Sequence, residues 1–438
     1  MSALRAKLPT VALTVALTAA SAGGAREARA ESPAPHVGTE TAAPVLVVTQ
    51  TDAIVRGARV GPGVSVAQAP LSATTLAREE ATSLVRPATL SAFAGYRANA
   101  PVQGPEISVS VTQDLALRGL GGARREVADQ MKSSVMADVE RARLESALRA
   151  LLAWEATVEA KEVLRIRTAA LAEAEAIAKG TRARVGSGVG QPRELALAEG
   201  DVGSAQAAVL DAEGALVEAH VELRFALGIS PDDAIDVAGD LYASDETPVV
   251  RDGAIRATAD HPALRAARAR TELAKREVDL ARAHFGHVAS VGGSYAREAS
   301  GEQIVGALVG VPIPIADPSR YEQARLMTTE NAARAQASRV ELELQRDVRL
   351  ALHDREHWRE VREALRTRAL GPLREALRLV RKEYDVGTQD VTMVLLAHQR
   401  LLAAEEQMAR AAGAVLRADA HVAALTGALA KRSQGGSP

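Results

Sequence analysis

Leu195-Ala-Leu-Ala-Glu-Gly-Asp-Val202-Gly-Ser-Ala-Gln-Ala-Ala-Val209-Leu-Asp-Ala-Glu-Gly-Ala-Leu216-Val-Glu-Ala-His-Val-Glu-Leu223 places an apolar residue at every seventh position. Three places after each stands an alanine: Ala198, Ala205, Ala212, Ala219 and Ala226. A strict seven-residue period keeps one stripe on a partner only if the helices supercoil left-handedly, and an all-alanine row lets the partner's backbone approach closely. The seam returns as Val394, Leu401, Met408, Val415 and Val422, with Ala397, Ala404, Ala411, Ala418 and Leu425 beside it. The offset is 394 minus 195, or 199 residues, and Tyr96/Tyr295, Leu115/Pro314 and Gly188/Gly387 share it. The chain therefore reads as two copies of one unit of roughly 200 residues.

Composition narrows the function. Lys and Arg number 53 against 55 Asp and Glu, so the basic excess that nucleic-acid binding needs is missing. Aromatics are only 2% of the chain, which suits long, tightly packed helices better than an irregular enzyme core. Cysteine is absent, excluding disulfides, thiolate metal sites and a lipid on an N-terminal Cys. Arg5 and Lys7 precede an apolar run from Leu8 to about Ala20, and Ala28-Arg-Ala30 fits a small-x-small cleavage site, so residues 1–30 are expected to be a secretory signal. No later run of 18 apolar residues is present, so no transmembrane helix is expected after it.

Residues 31–50 read as a flexible lead-in, 51–235 as the first repeat, 236–250 as a connector, 251–428 as the second repeat and 429–438 as a disordered tail. Asp52 to about Arg86 is helix-like but broken at Gly61-Pro62-Gly63 and Pro70; its counterpart, Asp252 to about His284, reads as one helix containing Pro262. Each copy then changes period. Ile107, Val109 and Val111 alternate with Ser108, Ser110 and Thr112, the two-residue period of a strand with one apolar face, and Thr89 to Tyr96 is its partner. The second copy repeats this in Val288 to Tyr295 and in Val305 to Ile315, giving four strands per chain. Phe93, Tyr96, Phe285 and Tyr295 cluster at or beside them. Long helices follow, from about Gly122 to Arg184 and from about Ser319 to Asp385, the latter interrupted at Gly371-Pro372. Each turns through a glycine loop, Val185-Gly-Ser-Gly-Val-Gly190 or Val386-Gly-Thr388, into its seam helix.

Catalytic and cofactor motifs are weak. His353-Asp-Arg-Glu-His357 spells H-x-x-E-H, which as a peptidase motif sets two imidazoles one turn apart beside a carboxylate base. Its dense charge reads instead as a solvated helix face, with transient binding of a metal ion as the other option. The glycines at 186, 188 and 190 follow a helix rather than the strand a phosphate-cradling loop requires. No catalytic residue, cofactor or resident metal is assigned, and no enzyme activity is expected.

The strands decide the class. Four strands cannot close a barrel, and an open sheet in lipid would leave edge N–H and C=O groups unpaired at several kcal/mol each. Either several chains share one barrel, two giving eight strands and three giving twelve, or the strands pair in water.

Together these features resemble the TolC-like outer-membrane efflux protein family from about Asp52 to Gly427. His261-Pro-Ala-Leu-Arg-Ala-Ala-Arg268 is similar to its opening helix, Gly310-Val-Pro-Ile-Pro-Ile315 to its last strand, and Tyr384-Asp-Val-Gly-Thr388 with Ala397-x-Gln399-x-Leu401 to its helical tip and following seam. The resemblance implies a mainly α, α+β fold: duplicated coiled-coil hairpins with two strands per copy. It also implies a homotrimer that forms a 12-stranded outer-membrane β-barrel continued by a periplasmic α-helical barrel. The implied function is the exit duct of a tripartite efflux system, with outer-membrane lipid, a periplasmic adaptor and an inner-membrane transporter as partners. Carried over, Val185, Gly186, Gly188, Val386, Gly387 and Thr388 receive the adaptor, with either Gly186 or Gly188 at the first turn. Acids that ring the pore in some members are replaced by Met393 and Leu396, leaving Asp390 as the candidate pore ring. The alternatives are a duct for type I protein secretion and a periplasmic coiled-coil scaffold without a pore.

Overall fold

The computed structural model describes residues 45–82, 88–98, 101–116, 119–243, 258–284, 288–311 and 319–433. The signal segment, Phe285, Ile313 and Ile315 lie outside them. In chain order the elements are β1 (Leu46–Val48), α1 (Gln50–Val60), α2 (Pro62–Gln68), α3 (Leu71–Thr82), β2 (Thr89–Arg97), β3 (Gly104–Ala116), α4 (Leu120–Gly186), α5 (Pro192–Leu227) and β4 (Ile235–Val237). A 3-10 turn (Thr258–Asp260) leads into α6 (Pro262–His284), β5 (Val288–Arg297), β6 (Gln303–Gly310) and α7 (Arg320–Ala364). A π-helical turn (Leu365–Ala369) joins α7 to α8 (Leu370–Asp385), and α9 (Val391–Leu425) and α10 (Ala428–Ser433) follow.

β2, β3, β5 and β6 form one antiparallel sheet in that order, so the repeats meet at the β3–β5 pair and β2 and β6 are its edges. The register is uniform. With the two-residue side-chain period it sorts the sheet into two faces. One carries the rows Leu90–Val111–Gly293–Ala307 and Ala92–Val109–Tyr295–Val305. The other carries Ser91–Ser110–Ser294–Gly306 and Thr89–Thr112–Gly292–Leu308. Val305 and Val309 are 82% and 75% exposed, so the apolar face meets no part of its own chain. Gly292 is required by close strand approach: a Cβ there would meet the Val111 carbonyl.

The helices build the long body. α4 has 67 residues, or about 100 Å at 1.5 Å per residue. The main core lies where α1 crosses its middle. A Cβ on Gly57 would stand 2.5 Å from Ala150 Cβ, so glycine is what lets the two backbones meet. Trp154 of α4 is buried and donates its indole N–H to the Val48 carbonyl at 3.0 Å. A capping box, with Thr49 Oγ1 accepting from Asp52 N–H and the Asp52 carboxylate from Thr49 N–H, fixes where α1 begins.

Several expectations change. Six strands, not four, occur among the described residues: β1, inside the stretch read as a flexible lead-in, pairs in parallel with β4 beside the connector. Three residues are too few to show a period, and the pairing is tertiary. The tail is ordered to Ser433, because Leu429 of α10 is fully buried in the main core. Pro262 starts α6 rather than lying within a helix, since proline supplies no N–H and keeps the preceding residue out of helical geometry. Gly371-Pro372 does not break the second long helix. The Leu370 N–H donates to the Leu365 carbonyl, a π-type bond one turn before Pro372, and this absorbs the proline.

The two seams, alike in pattern, are buried differently. α9 packs on α4, α7 and α8, whereas α5 packs almost wholly on α4. Leu210, Val217 and Val221 on the far side of α5 are exposed.

Candidate functional site

At the end remote from the sheet, α4 turns into α5 and α8 into α9 with one geometry. Gly188 at φ +79° and Gly387 at φ +85° hold the left-handed position that glycine adopts without steric cost. Gly188 N–H reaches Val185 O and Gly387 N–H reaches Tyr384 O, each at 3.0 Å. Gly186, in contrast, is the last residue of α4 with open space around its Cβ position, so Gly188 is the turn glycine of the first tip. Gly186, Gly188, Val386, Gly387 and Thr388 are exposed, and Val185 is half-buried. Val386 is 69% exposed. Val189, 70% exposed, was not among the expected tip residues. It stands 199 positions before Thr388, so the repeat would have identified it once the first tip's register was known.

Asp390 is exposed and caps α9, its carboxylate accepting from Met393 N–H at 3.3 Å. The equivalent Gln191 caps α5 and exchanges a reciprocal bond with Glu194. The acid therefore has a structural task at the helix N-terminus, where negative charge is favoured.

Behind the turns the tips are fastened together. Tyr384 is buried; its hydroxyl donates to Thr181 Oγ1 at 2.9 Å, because the Thr181 hydroxyl is already donated to the Ile177 carbonyl. Arg184 donates to the Tyr384 carbonyl and lays its guanidinium over the ring, 4.5 Å from the centroid. Ile177, Ala178, Ala198, Val391, Val394 and Leu395 close the apolar cluster around them. Arg381 pairs with Glu173, and Gln399 donates to Asp201 at 2.9 Å, extending the connection up the body.

Midway along the body α4 buries a carboxyl group. Glu155 is 1% exposed, and burial, the largest influence, raises its carboxyl pKa from 4.5 to about 8 against the lowering effect of Arg417. Glu159 pairs with Arg417 and fills the space that any side chain at position 413 would take, hence Gly413. Asp419 pairs with Arg355 and Arg359 of α7. His353 and His357 are exposed on α7, two places either side of the buried Arg355. No described helix is long and apolar enough to cross a membrane, which says nothing of the sheet.

Residues 255–428 match the family model described as outer membrane efflux protein. No curated protein matches the chain. Among solved structures, VceC from Vibrio cholerae is 15% identical with a TM-score of 0.69, covering 86% of this chain and 96% of its own. The CmeC outer-membrane channel of Campylobacter jejuni is 14% identical, TM-score 0.71, covering 86% and 85%. A membrane protein from Pseudomonas aeruginosa is 17% identical, TM-score 0.73, covering 91% and 96%. The second repeat thus carries the match to the outer membrane efflux protein family, and the fold that runs through both repeats is the one these solved structures share.

Proposed function

We propose that the chain is the outer-membrane exit duct of a tripartite efflux system, working as a homotrimer that a periplasmic adaptor joins to an inner-membrane transporter. The observation that carries this is the four-stranded sheet with an apolar face, a Ser- and Gly-rich face and two open edges. In lipid, edge β6 must pair with edge β2 of another copy; three copies make twelve strands, wide enough for a wet lumen. Strands of 9, 10 and 8 residues in β2, β5 and β6 suit a tilted crossing of the hydrocarbon layer, for which about 9–11 residues are needed. The apolar face then meets lipid and the Ser/Gly face lines the channel.

The helical body continues the duct into the periplasm. In this reading the tips, through Val185, Gly186, Gly188, Val386, Gly387 and Thr388, receive the adaptor, with Val189 and Val386 as the apolar contacts. Asp390 from three copies forms an acidic ring at the mouth. The chain moves no proton and breaks no bond; transport energy comes from the pump.

Planar-bilayer conductance of the detergent-extracted protein tests this, with Asp390→Asn beside the wild type. Asparagine caps a helix as well as aspartate does, so only the charge is removed. Trimers by mass, stable conductance steps and reduced cation preference in Asp390→Asn are expected. A monomer that partitions into buffer and yields no steps overturns the duct, and steps with unchanged selectivity overturn the Asp390 ring alone.

A further inference from the structure

Arg355 of α7 is buried and paired with Asp419. Residues two places before and after it lie 200° around the helix in opposite senses, so His353 and His357 share the face turned away from the body. Both are exposed. Their rings lie nearly parallel, 20° apart, with centroids 6.1 Å from each other, and the edge of Trp358 packs against His357 at 5.2 Å. Neither ring has a hydrogen-bond partner among the described residues, so a nitrogen lone pair of each is free. Exposed Glu356 and Glu360 lie one turn on from His353 and His357, and exposed Arg349 lies one turn before the pair.

We propose that His353 and His357 form a surface chelate for a borderline divalent transition-metal ion. Imidazole nitrogens suit Cu²⁺, Ni²⁺ and Zn²⁺, and Cu²⁺ stands highest in the affinity order for such donors. Metal–nitrogen bonds of about 2.0–2.1 Å bring the rings slightly closer than they stand, which exposed rotamers supply. Among the described residues no three His, Asp or Glu side chains converge on one point, so water completes the coordination shell and the ion exchanges readily. The site owes nothing to the H-x-x-E-H peptidase chemistry, because Glu356 does not join the two histidines in a three-residue metal cluster.

The test is Cu²⁺ titration of the detergent-extracted full chain, read by calorimetry and by electron paramagnetic resonance. One Cu²⁺ per chain with hyperfine coupling to two nitrogens is expected. His353→Gln and His357→Gln each lower the affinity roughly tenfold or more, because the second imidazole binds intramolecularly. His421→Gln, at an exposed histidine on α9, leaves it unchanged. Helical content by circular dichroism verifies that each variant is folded. Equal Cu²⁺ affinity in the wild type and the double His353→Gln/His357→Gln variant overturns the proposal, as does a one-nitrogen spectrum in the wild type. Neither result bears on conductance, so the duct and this site fail separately.

Discussion

Replacing Glu155 with glutamine should stabilise the protein, and by an amount that grows with pH. Glu155 has a folded pKa of about 8 against 4.5 in the unfolded chain, chiefly because burial penalises its charge. Between those values the native state holds a proton that the unfolded state has released. Stability then falls by about 1.4 kcal/mol per pH unit as pH rises. The contribution is intact below pH 4.5 and fully lost above pH 8, a total on the order of 5 kcal/mol. Glutamine keeps the shape and has no proton to lose. The variant should therefore match the wild type near pH 4.5, exceed it by about 3 kcal/mol at pH 7, and gain little more beyond pH 8. Thermal melts by circular dichroism at pH 5, 7 and 9, at one protein and detergent concentration, measure the divergence. Parallel pH profiles for the two proteins would refute the reasoning, because they would mean that the Glu155 carboxylate is solvated or paired as well in the folded helix as in the unfolded chain.

The glycine pair separates the two tip registers: Gly188→Ala and Gly387→Ala should each cost about 1–2 kcal/mol in melting experiments, the penalty for an L-residue at positive φ. Gly186→Ala, at a helical position in open space, should be neutral or stabilising by up to about 1 kcal/mol. Tyr384→Phe removes the hydroxyl that the Thr181 oxygen accepts from and should cost about 1 kcal/mol; faster amide hydrogen exchange confined to residues around 177–202 and 380–399 would report it, and uniform change along α4 would contradict a local fastening.

The duplication, the helix-to-strand change of period and the outward alternation of Ile107, Val109 and Val111 were legible in the amino-acid sequence, because each is a local repeat that backbone geometry turns directly into structure. The 199-residue offset aligns the two tips, and the positive φ at Gly188 chooses between the two glycines of the first. What the chain's own pattern could not carry was the choice of partner. The seams of α5 and α9 read alike, yet α9 lies among three helices while α5 leaves Leu210, Val217 and Val221 uncovered. Heptads specify that a stripe is buried somewhere, not how many neighbours surround the rest of the helix. β1 and β4 escaped for a related reason: three residues show no period, and only α1 crossing α4, with Trp154 reaching the Val48 carbonyl, brings them side by side. Pro372 reads as a break because its missing N–H is a local fact, whereas the π-turn that accommodates it sits where Leu365, Leu370 and Leu373 pack against Leu401, Ala404 and Met408 of α9. Local period and turn chemistry decided the elements; which surfaces they cover was decided by contacts between residues far apart in the chain, whose energies no single segment contains.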